Sequence, residues 1–255
     1  MIPETIYGTR KRVNFFIENI KLEHSVLEFG CGTGYMNTHQ LLSMGYNVIG
    51  CDLDSKSIDY GKKILLESGL DPNRLLCKDV SDIEGKFDII IASEVLEHIE
   101  TNHLNDIIEL LKNKLKDDGL LLITVPNGYG WFEFESFLWN KCKIGPILSF
   151  FWIPKIIGRI KKILLRKEYE PKHPNSLDHS KHVQRFTYNS IQKALSVNGM
   201  FVVEEITGST LFAGSFSNIL FTGFHTIMRL NNKLGDMFPR IASGFYIKCR
   251  KNISK

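Results

Sequence analysis

The chain lacks any uninterrupted apolar run of about 20 residues, the length a helix needs to cross a bilayer. The run at 144–154 is too short and meets Lys155. The uncharged stretch at 206–228 contains too much Ser, Thr, Asn, Gly and His for a span, and a span there would cut the last strand off from its sheet, so a transmembrane helix is rejected. Cysteine is scarce: Cys31, Cys51, Cys77, Cys142 and Cys249 are an odd number without CxxC spacing, which excludes a disulfide framework and a zinc site and fits a reducing cytosol. The opening MIPETIYGTRKRVNFF has no basic segment followed by an apolar run and a small-residue cleavage site, so it does not read as a secretory leader. Strong charge is lacking too: a formal +4 implies no nucleic-acid partner unless the cations cluster. No internal repeat or low-complexity tract interrupts the 255 residues, and the reading is one domain over 1–255.

Strand and helix patterns alternate through the first half. Short apolar runs at 25–29, 47–51, 74–78, 87–92 and 120–125 read as strands. Helical spacing at 35–44, 55–68 and 95–115 reads as helices, the second capped by Ser55 and the third stopped at Asp118–Gly119. Alternation of this kind implies an α/β fold with a parallel sheet, right-handed crossovers and ligands bound beyond the carboxyl ends of the strands. Residues 131–170 break the alternation with an aromatic, basic insertion. A helix at 190–198 and a strand at 201–205 resume it, and an apolar, helical 211–238 leads to a last strand at 244–249.

The turn after the first strand, VLEFGCGTGYM (26–36), carries Gly30, Gly32 and Gly34, which permit a tight turn and close approach of a ligand to the backbone. A dinucleotide fingerprint would place its third glycine at Tyr35. Asp52 ends the second strand, where a carboxylate can accept two ribose hydroxyls, with Leu53 next to it and Asp54 the weaker partner. The spacing around Glu28 resembles the first motif, ExGxGxG, of class I S-adenosylmethionine (SAM)-dependent methyltransferases, and FDIIIASEVLEHI resembles their fourth-motif region, above all in the ubiquinone-pathway O-methyltransferase group. The resemblance covers 26–125 and returns at HVQRFTYNSIQKALSVNGM (182–200). It implies a Rossmann-like sheet of seven strands with helices on both faces and the last strand antiparallel. It implies SAM as methyl donor, S-adenosylhomocysteine as product, and a cofactor wall of Glu28, Gly30, Cys31, Gly32, Gly34, Asp52, Leu53, Asp79, Val80, Ser93 and Glu94. In that wall Asp79 and the Val80 amide meet the adenine, and Ser93 and Glu94 meet the methionine part.

Methyl transfer is an in-line displacement, so the protein must align its reactants and, for a hydroxyl acceptor, remove one proton. His98 and His182 are the candidate bases, each equally well explained as a structural histidine. Glu94, Glu97 and His98, at i, i+3 and i+4, would share one helix face and, with His179 or His182, offer a metal set resembling that of small-RNA 2′-O-methyltransferases. The same letters occur in relatives for which no metal is implied, and no metal ligand is assigned; a divalent metal is not expected.

The insertion interleaves Lys141, Lys143, Lys155, Arg159, Lys161, Lys162, Arg166 and Lys167 with Trp139, Phe150, Phe151, Trp152 and a run of Ile and Leu, without an acid from 139 to 167. That composition suits an interfacial helix on anionic lipid at the inner face of the membrane, or a lid over the site, better than RNA. The expectation is therefore a cytoplasmic O-methyltransferase, peripheral on the membrane, acting on a small or lipid-linked, quinone-like or glycan hydroxyl. The alternatives are a metal-assisted RNA 2′-O-methyltransferase and a catalytically silent adaptor of the same fold.

Overall fold

The computed structural model describes residues 2–165, 173–177 and 181–252. Seven strands form one sheet in the order β3-β2-β1-β4-β5-β7-β6, from β1 (Ser25–Phe29), β2 (Asn47–Asp52), β3 (Leu75–Cys77), β4 (Phe87–Ser93), β5 (Leu115–Pro126), β6 (Phe201–Gly208) and β7 (Gly244–Lys251). The first five run parallel, and β7 lies antiparallel between β5 and β6. This is the Rossmann-like arrangement that the resemblance implied.

Strand periodicity divides the core between two faces. In β4, Ile89 and Ile91 pack with Phe16, Ile20, Leu41 and Leu122 on one side. Ile90 and Ala92 pack on the other with Leu104, Ile108 and Leu111 of α4 (Thr101–Lys114) and Ile191 and Leu195 of α8 (Tyr188–Ser196). β4 is thus apolar on both faces, as a central parallel strand must be. Phe16 belongs to α1 (Thr9–Ile17), an amphipathic helix that the sequence reading did not identify.

Several boundaries are corrected. The helix expected at 35–44 is shorter, α2 (Thr38–Ser43), because the glycine turn continues through residue 37. Helix α3 (Ser55–Glu67) is capped by Asp54, whose carboxylate accepts from the N–H groups of Lys56 (3.1 Å) and Ser57 (3.2 Å), so Ser55 is its first residue and not its cap. The helix expected at 95–115 is broken. A 3-10 turn at Leu96–His98 ends with Ile99 in extended geometry, and α4 starts only at Thr101. Asp118–Gly119 does not stop α4. The chain passes directly from Lys114 into β5, where Leu115 pairs with Phe87, and Asp118 and Gly119 lie inside that strand. The apolar 211–238 forms two helices, α9 (Ser215–Phe221) and α10 (His225–Met237), separated at Gly223 (φ 102°).

Between β5 and α8 lie α5 (Trp131–Ser136), a π turn at Phe137–Lys141, α6 (Ile144–Phe150) and α7 (Ile153–Leu165). Trp131 packs edge-on against Phe212, and Trp139 against Phe216. Lys161 of α7 donates to the carbonyls of Asn218 (3.1 Å) and Ile219 (2.9 Å), which ties α7 to α9. Phe150, Phe151, Trp152, Ile156, Ile160 and Ile163 remain exposed. Arg166, Lys167 and His179 lie outside the described residues, as does the side chain of Lys162. No helix among the described residues is long and apolar enough to cross a membrane.

Candidate active site

The carboxyl ends of β1, β2 and β4 open into a cavity of about 630 Å³. The glycine turn forms its floor. Gly30 (φ 67°) and Gly32 (φ 55°) adopt left-handed backbone, and a Cβ at Gly30 would come within 2.3 Å of Val95 Cγ2. A side chain is therefore excluded there by conformation and by space together. The amides of Gly30 and Cys31 both donate to the carbonyl of Cys51 (2.9 and 3.0 Å), which locks the turn to the end of β2.

Each residue expected at the donor site lines this cavity except Gly34, which supports the turn from behind against Leu75. Asp52 accepts the Gly32 amide on Oδ2 (2.7 Å) and the Asp54 amide on Oδ1 (2.9 Å), so its carboxylate is held rigidly at the mouth of the turn. Asp79 caps the turn at Val80–Asp82 by accepting the Ser81 amide (2.8 Å), and the hydrogen bonds from Ser81 lower its pKa. Leu53 is exposed at the rim, and Val80 is buried in the wall.

Glu28 is buried beneath the turn. Its Oε1 accepts from Asn37 Nδ2 (2.7 Å), and its Oε2 accepts from the Thr38 amide (2.9 Å) and hydroxyl (2.5 Å). Burial pushes its pKa up to about 7, against the pull of those three donors. It is a brace between β1 and α2 as well as part of the cavity lining.

Glu94 follows β4 with φ 54°, a left-handed backbone seldom adopted outside glycine and often found at functional sites. Its amide donates to the Thr124 carbonyl (2.8 Å), and its carboxylate faces Arg12 at 3.4 Å. Next to it, Ser93 exchanges a hydroxyl hydrogen bond with Thr124 (3.0 Å). Arg12, on α1, is largely buried. Burial opposes its charge, but Glu94, Tyr246 and Glu97 outweigh burial and hold the guanidinium protonated. Glu97 is buried, and desolvation followed by the charge of Glu94 raises its pKa to about 9. Burial therefore favours the neutral form of the Glu97 carboxyl, while the Glu94 side chain is the one that faces Arg12.

The two candidate bases meet. The His98 and His182 rings pack edge to face with centroids 4.9 Å apart, though 84 positions separate them in sequence. His98 lines the large cavity, and His182 lines a second one of about 150 Å³. Desolvation, then His98, lowers the pKa of His182, which favours the neutral form able to accept a proton. Glu97, His98 and His182 bring one ligand atom each within 4.8 Å of one another. That grouping corrects the expected metal set, since Glu94 turns away to Arg12 once the helix is replaced by a 3-10 turn.

Among the wall residues that escaped the sequence reading are Arg12, Asn175 and Ser176. The segment 173–177 crosses the glycine turn. The Asn175 carbonyl accepts the Thr33 amide (2.8 Å), the Pro174 carbonyl accepts the Thr33 hydroxyl (2.7 Å), and the Leu177 amide donates to Ser57 Oγ (2.8 Å). No local motif marks any of the three, because their proximity arises from the crossing of distant segments.

A family model described as a methyltransferase domain matches residues 4–205. Among curated relatives, sphingolipid C9-methyltransferase of Candida albicans is 30% identical over 130 residues, covering 48% of this chain and 25% of that protein. Ubiquinone biosynthesis O-methyltransferase of Bartonella bacilliformis is 30% identical over 145 residues, covering 56% and 55%. The match thus spans a quarter of the first relative's length and just over half of the second's. Among solved structures, an S-adenosylmethionine-dependent methyltransferase from Clostridium acetobutylicum superposes with a TM-score of 0.55 at 16% identity, covering 96% of this chain and 92% of that one.

Proposed function

This chain belongs to the methyltransferase-domain family, in the class I SAM-dependent superfamily, and from that premise we propose that it transfers a methyl group from SAM to a hydroxyl of a small or lipid-linked acceptor, quinone-like or glycan in kind. The observation that carries this reading is the cavity of about 630 Å³ at the strand ends, with Asp52, Asp79 and Ser93 around a glycine floor that admits no side chain. The relatives named for a sphingolipid and for ubiquinone biosynthesis support a lipid-linked acceptor, and the second supports oxygen as the methylated atom.

The residues present fit the donor. Asp52 is held by two backbone amides and keeps lone pairs for ribose hydroxyls, Asp79 and Val80 would meet the adenine, and Ser93 and Glu94 would meet the amino-acid end. SAM supplies a methyl group on a sulfonium, already activated for displacement. The work left to the chain is to orient the acceptor, exclude water and take up one proton. His182, packed against His98, is the base, an assignment supported by its lowered pKa and by its place in the second cavity, in contact with His98 of the first. The insertion, residues 131–170, would serve as a lid or a dock on the inner face of an anionic membrane.

Calorimetry with SAM tests the donor half, and Asp52→Ala should weaken SAM binding by about tenfold or more, the loss expected for hydrogen bonds to a charged group. No SAM binding would overturn the reading. Labelled SAM incubated with lipid extract and with RNA tests the acceptor half. Label in lipid supports it, whereas SAM binding without turnover on either favours an adaptor. One observation favours a second reading, metal-assisted RNA 2′-O-methylation: the Glu97, His98 and His182 grouping, in which Glu97 Oε2 is buried without a partner. On the main reading, activity survives exhaustive chelation. Loss of activity on chelation and recovery with a divalent ion would transfer the assignment to the second.

A further inference from the structure

A second cavity, of about 150 Å³, lies beside the donor cleft and shares two side chains with it, Arg12 and Glu94. Its wall is assembled from parts of the chain far apart in sequence, Ser209–Thr210 and Ser243–Gly244 among them. Tyr7 precedes α1, Arg12 lies on α1, Glu94 follows β4, Phe132 lies on α5, His182 precedes α8, and Ala213 precedes α9. The cavity's volume is below the range of about 300–1,000 Å³ usual for drug-sized ligands, so it admits a compact head group only.

The chemistry of the wall selects that head group. Arg12 lines this wall, and its Nε, itself buried, has no hydrogen-bond partner among the described residues. Glu94 lies in the same wall and repels a full carboxylate. A neutral hydroxyl suits both ends: its oxygen can accept from Arg12 while its proton points to the imidazole of His182. Phe132 and Tyr7 offer flat apolar surface for a ring carrying that hydroxyl.

We propose that this second cavity is the acceptor subsite, that it takes a compact acidic hydroxyl of the phenol or enol class, and that Arg12 is the residue that positions its oxygen. The inference rests on the methyltransferase reading above. In the transfer, a bond forms between the acceptor oxygen and the methyl carbon as the sulfur–carbon bond breaks. The bonding pair stays on sulfur, and the hydroxyl proton passes to His182. Arg12 steadies the charge on the oxygen as the proton leaves. Glu94 is held in left-handed backbone and keeps the guanidinium turned to the boundary between the cavities.

The test uses the full chain and 4-nitrophenol, whose absorbance reports its ionisation, with benzoate as the carboxylate control. 4-Nitrophenol should bind with SAM present, and its ionisation should shift to lower pH on binding. Ala213→Phe, which fills the cavity, should weaken 4-nitrophenol by roughly tenfold or more while SAM affinity stays within about twofold, as expected for separate sites. Tyr7→Ala, at a half-exposed position that can be changed without disturbing the core, should weaken the same probe and serves if the Phe variant fails to fold. Arg12→Met should abolish the ionisation shift, and Arg12→Lys should restore part of it, an outcome that a purely structural role for Arg12 would not produce. Competition between 4-nitrophenol and SAM, equal affinity for benzoate, or binding indifferent to both cavity variants overturns the proposal. A chain that fails to bind SAM overturns the family-level reading instead, so the two failures are distinguishable.

Discussion

Glu28 shows how one residue serves the site while touching it only in part. It appears in the sequence as the leading acid of a glycine motif, and in the fold it joins Asn37 and Thr38 to β1 and thereby holds the start of α2 under the turn. Burial raises its pKa from 4.5 to about 7. The unfolded chain releases this proton near pH 4.5 while the folded chain keeps it, so Glu28 makes the protein lose stability as pH rises from about 4.5 to about 7. Glu28→Gln carries no such proton and replaces one accepting oxygen by an amide NH2, leaving a buried donor unpaired at a cost of about 1–3 kcal/mol. The melting-temperature deficit of this variant should be largest below about pH 4.5 and narrow as pH rises to about 7, as followed by calorimetric scans. A deficit that widens with pH would contradict a buried, protonated Glu28. Arg12 makes the complementary point. It is a basic residue on an amphipathic helix, with nothing in its neighbours to distinguish it from a solvated cation, and it becomes a buried wall of both cavities.

At the scale of elements, the termini of helices decide what reaches the cleft. Asp54 looked like a spare ligand beside Asp52, and it proves to be the N-cap of α3, accepting from two amides of the first turn. Asp54→Ala should cost about 1 kcal/mol, the usual value of a lost cap, whereas Ser55→Ala should be nearly neutral in urea unfolding. Equal effects would return the cap to Ser55. The turn after β4 has a larger consequence. Helical spacing from 95 to 115 suggested a continuous helix with Glu94, Glu97 and His98 on one face. The 3-10 turn instead points Glu94 at Arg12 and leaves Glu97 and His98 with His182. Periodicity could not reveal this, since Leu96 is buried in either conformation and a single non-helical turn leaves the pattern of apolar residues intact.

At the scale of the whole molecule, the insertion forms a surface of its own. Phe150 is 77% and Ile163 76% exposed, and Lys155 and Arg159 are exposed beside them on α7, while Lys161 faces inward to α9. Phe132 of α5 lines the second cavity, and α5 runs on in sequence into the helices that carry this surface. Wild-type protein should therefore co-sediment with phosphatidylserine-containing vesicles at low salt and release as salt rises. Lys155→Glu with Arg159→Glu should weaken this by roughly tenfold or more, at about 1 kcal/mol for each basic residue near the surface. Binding that ignores both salt and charge reversal would leave these helices as a lid.

The sequence by itself determined the sheet's parallel half, the glycine turn and the acids at the ends of β2 and β3, because each follows from local rules: alternation, left-handed backbone, and a carboxylate at a strand end. It also marked His98 and His182, as candidate bases and as possible members of one metal set. Only the tertiary structure decided that these two rings touch, that Arg12 and the segment 173–177 close the walls of the cleft, and that β7 lies between β5 and β6. Those are contacts between segments far apart in the chain, and their free energy comes from burial and pairing that no local window contains. The proposed donor cleft could therefore be read largely from strand-end motifs, while the second cavity, walled by segments far apart in the chain, had to wait for the fold.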